Sequence, residues 1–235
     1  MRFTLTAASL LLASGLGQLP ALPALRPVDE ATQDVALTGV RTRLQEAVRA
    51  RDAAAVAPLV SSTLVLDGMR TEPGLNRDRF IGDLAEPAFE YWTALDVALS
   101  HGGAFTTTKG AVEGRREFCA PYFVTRFPEA GRVPAEVLGE NSPWVITAKD
   151  VAVYEKPDRR SRVLGRLSFA MVQAPGAERH DPVDYALVWK SIDLGDDREG
   201  FVRRDQIANP EGPRVCFANE NGQWRISRLA RNGTP

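Results

Sequence analysis

The 235-residue sequence predicts an α+β fold in which a small all-β barrel is inserted into a second, discontinuous domain. Apolar residues recur at helical spacing from Val35 to Val48, and Asn221-Gly222 marks a tight hairpin near the C-terminus. Short strands separated by turn residues fill the segment from Pro143 to Ile207. Because strands are predicted on both sides of this segment, we expect residues 143–207 to interrupt an outer domain of residues 33–142 and 208–235.

The first half of the outer domain is predicted to be mainly helical. The apolar stripe from Val35 to Val48 indicates an amphipathic helix, and Asp52 is placed to cap a short second helix through Ala57. A strand is expected from Ser62 to Asp67. Helical spacing returns from Leu75 to Ser100 with an interruption at Pro87, one or two strands are expected from Phe105 to Phe123, and residues 128–143 read as a connector.

The C-terminal hairpin is the clearest local pattern. Asn221-Gly222 favours a two-residue type I′ turn, which fixes the register of the strands on either side of it. The predicted pairs are Phe217 with Ile226, Asn219 with Trp224, Val215 with Arg228, Cys216 with Ser227 and Ala218 with Arg225. One face of this hairpin is apolar, so we expect the N-terminal helices to pack against it.

Residues 1–24 have the pattern of an export signal. Arg2 supplies a positive charge, an uncharged apolar run extends from Leu5 to Leu16, and small residues follow. Cleavage is expected after Gly17 or near Ala24; a buried N-terminal helix is the alternative. The run is too short to span a bilayer, so we expect a periplasmic or secreted protein with no transmembrane anchor. The net charge of −1 provides no basic field for nucleic acid.

The inserted segment resembles a bacterial SH3 (SH3b) domain. The resemblance covers about 65 residues and is carried by Val151-Ala152-Val153, the strand from Val163 to Leu167, Trp189 with Ile192, and Gly200-Phe201-Val202. Such domains often bind cell-wall peptide, so the resemblance implies a ligand groove formed by Tyr154, Trp189 and Phe201. The alternative is that Trp189 and Phe201 belong to the core. A long loop from Pro175 to Asp184 departs from the family pattern.

The flanking residues resemble the NTF2-like (cystatin-like) α+β fold, in which helices lie against a curved antiparallel sheet that ends in a long hairpin. The segments that carry this resemblance are Phe118 to Tyr122 and Phe217 to Leu229. Proteins with this fold include enzymes, ligand binders and inert scaffolds, so the resemblance implies architecture rather than activity.

Cys119 and Cys216 are the only cysteines, and they bracket the insert. An even pair in an exported protein predicts a disulfide, whereas two buried thiols that never meet are the alternative. A metal pair is disfavoured because no further ligand lies nearby in sequence. We expect no metal and no cofactor.

No catalytic residue is assigned from the sequence. His101 and His180 have no nucleophile motif beside them, which disfavours a serine or cysteine hydrolase. His101 is expected to contact the end of a helix, and His180 is expected to be solvated. Carboxylate chemistry remains open through Asp67, Asp83 and Glu90, although nothing in their spacing selects them over a surface role.

One edge of the insert carries a basic cluster, which together with Tyr154 is the candidate binding surface: Lys156, Arg159, Arg160, Arg162 and Arg166. Wall carboxylates or another anionic polymer would fit such a surface, while a solvated face is the alternative. The sequence therefore predicts a non-enzymatic module that contacts an envelope component or a protein partner. Two other hypotheses are a small-ligand binder or enzyme that uses the cone of the outer domain, and an inhibitor or immunity factor that uses the loop from Pro175 to Asp184.

Overall fold

The protein has a mixed α+β structure, seen in a computed structural model that describes residues 19, 23–67, 72, 74–86, 90–106, 116–129 and 143–231. Residues 130–142 of the predicted connector, Pro87 and most of the predicted export signal lie outside the described residues. The described part of the chain contains five helices and three sheets. None of these helices is long and apolar enough to cross a membrane.

The helices follow the apolar stripes of the sequence, and their bounds are α1 Val35–Ala50, α2 Ala53–Val56, α3 Leu75–Asp83, α4 Tyr91–Leu99 and α5 Tyr122–Glu129. Asp34 caps α1 by accepting a hydrogen bond from the Leu37 amide, and Asp52 caps α2 in the same way through Ala55. Helix α5 was not predicted, because the β-favouring residues around Phe123 suggested that strand structure would continue through it.

The outer sheet has five strands, β1 Val60–Leu66, β2 Ala104–Phe105, β3 Glu117–Ala120, β12 Arg214–Glu220 and β13 Gln223–Ala230. They are ordered β1-β13-β12-β3-β2, so the two strands that follow the insert lie between strands that precede it. Strand β1 pairs with β13 in parallel, whereas the resemblance to the NTF2-like fold implied an antiparallel sheet. Parallel strands are joined by a long crossover rather than by a hairpin turn. The residues of β1 and β13 therefore do not themselves show that the two strands pair.

The C-terminal hairpin has the predicted register near its turn and a different one farther away. Asn221 and Gly222 both have positive φ, as a type I′ turn requires, and Phe217 faces Ile226. Between Cys216 and Phe217 the register shifts, so Cys216 faces Arg228 rather than Ser227. Val215 likewise faces Leu229, not Arg228. The predicted outer pairs are therefore wrong by one residue, because a β-bulge inserts an extra residue in β13.

The main core lies between helices α1, α3 and α4 and one face of the outer sheet. Leu37 and Leu44 from α1, Phe80 from α3 and Leu95 from α4 are fully buried in it together with Phe217. On the opposite face of the sheet, Cys119 of β3 lies directly across from Cys216 of β12, and the two form a disulfide.

The segment from Pro143 to Ala208 contains eight strands, β4 Pro143–Ile146, β5 Val151–Tyr154, β6 Val163–Leu167, β7 Met171–Gln173, β8 Glu178–His180, β9 Val188–Asp193, β10 Glu199–Arg203 and β11 Ile207–Ala208. They form a five-stranded sheet, β6-β5-β10-β9-β8, and a three-stranded sheet, β11-β4-β7. Within the described residues this pairing does not close into the predicted barrel. The predicted loop from Pro175 to Asp184 contains β8, which pairs with β9 at the edge of the larger sheet.

The insert has a core of its own, and a third cluster joins it to the outer domain. Val153, Ile192 and Val202 lie in the insert core. The joining cluster combines Tyr122 of α5 with Val145 of β4, Met171 of β7 and Leu25.

A short N-terminal strap, residues 23–25, contacts both the insert and helix α5 of the outer domain. The Leu25 amide donates to the Phe169 carbonyl and the Met171 amide donates to the Pro23 carbonyl, at 2.7 and 2.8 Å. The Tyr122 hydroxyl donates to the Leu25 carbonyl at 2.9 Å, and the Leu25 side chain is buried.

Candidate binding surface of the insert

The turn between β5 and β6, residues 155–162, carries most of the predicted basic cluster. Its backbone is fixed by short-range hydrogen bonds: Ser161 Oγ donates to the Lys156 carbonyl at 3.1 Å, and the Arg160 amide donates to Asp158 Oδ1 at 2.7 Å. The side chains of Lys156 and Arg160 are exposed. We call this segment the basic turn.

Two of the basic residues are engaged by neighbouring groups. Arg162 forms a salt bridge with Glu155 at 2.9 Å, and Arg166 on β6 donates to the Asp150 carbonyl at 2.8 Å. Lys156 and Arg160 have no side-chain partner among the described residues. Fewer basic side chains are therefore available to an outside ligand than the sequence suggests.

The predicted groove residues are mostly core. Trp189 is 0% exposed and Phe201 is buried, which matches the alternative that they stabilise the fold. Tyr154 is half-buried, with its ring edge-to-face on Trp189 at a centroid distance of 5.0 Å. Of the three, only Tyr154 presents part of its side chain to solvent.

Asp181 organises the loop that follows β8, a role that the sequence analysis did not assign. Only 1% of Asp181 is exposed. Its carboxylate accepts hydrogen bonds from the amides of Arg159, Val183 and Asp184 and from Trp189 Nε1. These bonds, first of all that from the Asp184 amide, lower the pKa of Asp181 to about 2. The Asp181-Pro182 pair is a turn pattern that could have indicated this role.

The same loop presents a stacked aromatic pair to solvent. The rings of His180 and Tyr185 lie 3.9 Å apart at an interplanar angle of 7°. His180 Nδ1 is 2.8 Å from the Tyr185 carbonyl oxygen, and Tyr185 is 74% exposed. His180 is exposed, as predicted, but its ring is held in place. We call residues 180–185 the aromatic loop.

Arg159 joins the basic turn to the aromatic loop. Its amide donates to Asp181 Oδ2 at 3.2 Å, and its guanidinium is 3.9 Å from the Asp184 carboxylate. Because both segments depend on Asp181, they form one continuous surface with cationic groups beside an exposed aromatic face. Such a surface can contact an anionic ligand and stack on a ring at the same time.

Two of the candidate carboxylates, Asp67 and Asp83, lie in separate ion pairs, and the third, Glu90, is exposed. Asp67, at the end of β1, pairs with Arg214 and lies 3.6 Å from Arg228. Asp83, in the last turn of α3, is 3.9 Å from Arg79, and Glu90 precedes α4 with a left-handed backbone. These contacts favour the surface or structural roles that were the alternative to acid/base work.

His101 follows α4 and lies 5.9 Å from the Phe123 ring, centroid to centroid. Burial lowers the pKa of His101, because the charged imidazolium is poorly solvated there. Burial therefore favours the neutral imidazole beside Phe123.

Glu117 lies close to Cys119 and Cys216, and one ligand atom from each falls within 4.8 Å of the others. The sulfurs are bonded to one another, so neither is available as the thiolate that a metal would require. Glu117 instead accepts a hydrogen bond from Ser227 at 2.9 Å.

Three aromatic side chains of the outer domain belong to its main core or pack against it. Phe217 and Trp224 are buried in the main core, and Trp92 packs against it. At the edge of this core a cleft of about 420 Å³ is lined by Asp34, Phe105, Arg116 and Trp224 among others.

Comparison of this chain with protein-family models, with curated proteins and with solved structures finds no match in any of the three.

Proposed function

We propose that this protein is a non-enzymatic, exported envelope protein whose SH3-like insert, held in an NTF2-like outer domain, binds carboxylate-bearing cell-wall polymer. The observation that carries the proposal is the continuous surface formed by the basic turn and the aromatic loop. The export pattern at the N-terminus and the disulfide between Cys119 and Cys216 support an extracytoplasmic location.

The two halves of this surface suit the two chemical parts of such a polymer. Lys156 and Arg160 have no partner among the described residues, so they are free to form charge-assisted hydrogen bonds with carboxylates. The exposed face of Tyr185 can stack on the apolar face of a sugar ring. A tyrosine that is already oriented loses little conformational entropy on binding, and the His180 stack and the Asp181 hydrogen bonds orient this one.

The test is co-sedimentation of the purified protein with purified cell wall. Wild type should sediment, and Tyr185→Ala combined with Arg160→Glu should reduce the bound fraction about tenfold or more, as expected for the loss of an aromatic anchor and a charged contact. Arg159→Glu with Arg162→Glu should also weaken binding, and higher salt should weaken it further.

The matched control for Arg159→Glu with Arg162→Glu reverses two exposed arginines of α1, Arg43→Glu with Arg49→Glu, which changes the net charge by the same amount on another part of the molecule. This control should bind as wild type does. Absence of wild-type sedimentation, or equal loss with the control, would contradict the proposal.

A second candidate function is a small-ligand binder that uses the cleft at the edge of the outer core. Arg116 stacks over the Phe105 ring at 3.8 Å, and Trp224 Nε1 donates to Asp34 Oδ2 at 2.9 Å, so polar and aromatic groups meet there. Ligand-detected NMR with a fragment library would test it, since hits should be lost in Arg116→Ala and retained in Tyr185→Ala.

A further inference from the structure

A groove runs along the first half of helix α1, on the outer domain, and its volume is about 460 Å³. One wall is a stripe of α1 that includes Val35, Gly39 and Arg43. The other wall is formed by Pro58 and by residues 222–225 at the turn between β12 and β13. Because Val35, Gly39 and Arg43 are spaced four residues apart, they lie on one side of the helix over a length of about 12 Å.

The groove exposes apolar surface near the start of the helix. Val35 is 87% exposed, and Ala36 and Pro58 are exposed as well. A ligand that lies in the groove removes this apolar surface from water, which favours binding.

Gly39 leaves the helix backbone open to the groove. A Cβ at this position would meet no atom of the described residues within 4 Å, so packing among these residues does not require a glycine. A glycine inside a helix destabilises the helix relative to alanine. Close approach of a ligand to the backbone, which a side chain would obstruct, gives this glycine a role.

Two arginines supply positive charge to the groove. Arg43 is exposed and has no partner among the described residues. Arg225 is held in place, because its guanidinium donates to the Pro58 carbonyl and to Gln223 Oε1, both at 2.7 Å. Each guanidinium keeps further N–H groups for an outside acceptor. Among the described residues no acidic side chain lines the groove, so its charge is positive.

We infer that this groove binds a free alkyl carboxylate of medium chain length. The carboxylate forms charge-assisted hydrogen bonds with Arg43, and the alkyl chain lies over Gly39 toward Val35. Octanoate is similar in length to the helix stripe between Arg43 and Val35. This inference does not depend on the proposed wall-binding surface, which lies on the insert.

The test is an amide NMR titration of the full-length protein with octanoate, beside 1-octanol as the neutral probe and octylammonium as the cationic probe. Octanoate should cause saturable shifts at Val35 to Arg43 and at Gly222 to Arg225, and no shifts in the basic turn. The alcohol should bind about fivefold more weakly, as expected for the loss of a solvent-exposed charged contact, and the ammonium should not bind.

Gly39→Leu is the most informative variant, because it fills the groove while replacing a poor helix former with a good one. It should weaken octanoate binding at least tenfold while its Tm equals or exceeds that of wild type. Arg43→Gln should weaken octanoate binding about fivefold and leave 1-octanol binding unchanged. Arg49→Gln, which removes an exposed charge of α1 outside the groove, should leave the binding of both probes unchanged.

Equal affinity for the three probes, octanoate shifts confined to other parts of the protein, or wild-type octanoate affinity in Gly39→Leu would overturn the inference. A peptide with a free C-terminal carboxylate, N-acetyl-leucyl-leucine, provides the remaining comparison. Tighter binding of this peptide than of octanoate would assign the groove to a peptide terminus and would also overturn the inference.

Discussion

Asp181 is the residue on which the candidate surface depends most. Its carboxylate accepts hydrogen bonds from two separate segments, the basic turn through Arg159 and the aromatic loop through Val183 and Asp184. It also accepts a hydrogen bond from the buried Trp189 indole, so the surface is tied to the insert core. A carboxylate is suited to this position because it offers about four lone pairs and no donor.

The depressed pKa of Asp181 predicts a specific acid sensitivity. The folded-state pKa is about 2 and the ordinary value is 3.8, so its ionised form stabilises the fold above about pH 4. That stabilisation should be lost as the pH falls from about 4 to 2. Thermal unfolding of wild type and Asp181→Asn across this range should show a difference in Tm that is largest near neutral pH and shrinks in acid.

The matched control for this prediction is Asp158→Asn, since Asp158 lies in the same basic turn and accepts one amide hydrogen bond. It should lower the Tm less than Asp181→Asn does. A Tm difference for Asp181→Asn that does not change between pH 7 and pH 2 would contradict the assigned pKa.

At the scale of elements, local patterns were predictable and long-range pairings were not. The Asn221-Gly222 turn and the α1 stripe are set by neighbouring residues, so the sequence was sufficient to predict them. The parallel pairing of β1 with β13 depends on a partner distant in sequence, whereas the bulge between Cys216 and Phe217 and the edge strand β8 belong to pairs of neighbouring strands whose residue patterns do not indicate them. The stacked His180 and Tyr185 pair lies within one short loop and was missed because the Asp181-Pro182 turn pattern was not interpreted.

The N-terminal strap is an element whose contribution can be measured by truncation. A chain that begins at Arg26 loses the Leu25 side chain from the joining cluster and the strap hydrogen bonds. We expect a loss of about 3 kcal/mol in the free energy of unfolding, from the burial of one leucine and the net value of the hydrogen bonds. Urea denaturation of chains that begin at Gln18 and at Arg26 would measure it.

Tyr122→Phe is the milder companion variant, because it removes only the hydroxyl that donates to the Leu25 carbonyl. It should cost about 1 kcal/mol in the Gln18 chain and nothing in the Arg26 chain, where the carbonyl is absent. Equal stability of the two chains would show that the strap contributes nothing.

The strap also favours export cleavage after Gly17 over cleavage near Ala24, which N-terminal mass analysis of exported protein would test.

At the scale of the whole molecule, the insert divides the outer domain into two chain segments that the disulfide rejoins. Strands β3 and β12 are neighbours in the sheet, although the whole insert lies between them in sequence. Cys119 and Cys216 were predictable as a pair because they are the only cysteines and bracket the insert. Their direct opposition across two strands was not, since it depends on the sheet register.

Removing the disulfide should destabilise the outer domain while leaving the insert core intact. The cysteines are 97 residues apart, and closing a loop of that length is worth up to about 4.7 kcal/mol in the chain-entropy model. Guanidinium unfolding of Cys119→Ala with Cys216→Ala should therefore show a lower midpoint. Fluorescence of Trp189, buried in the insert, should change at a higher denaturant concentration than that of Trp224 in the outer core. An unchanged midpoint would contradict this expectation.

Ligand is expected to bind where the basic turn meets the aromatic loop. The most direct measurement is an amide NMR titration with soluble wall fragments. We expect saturable shifts at Lys156 to Arg162 and at His180 to Tyr185, with no shifts in α1. An absence of shifts at saturating fragment concentration, or shifts confined to the cleft around Asp34 and Trp224, would contradict the claim.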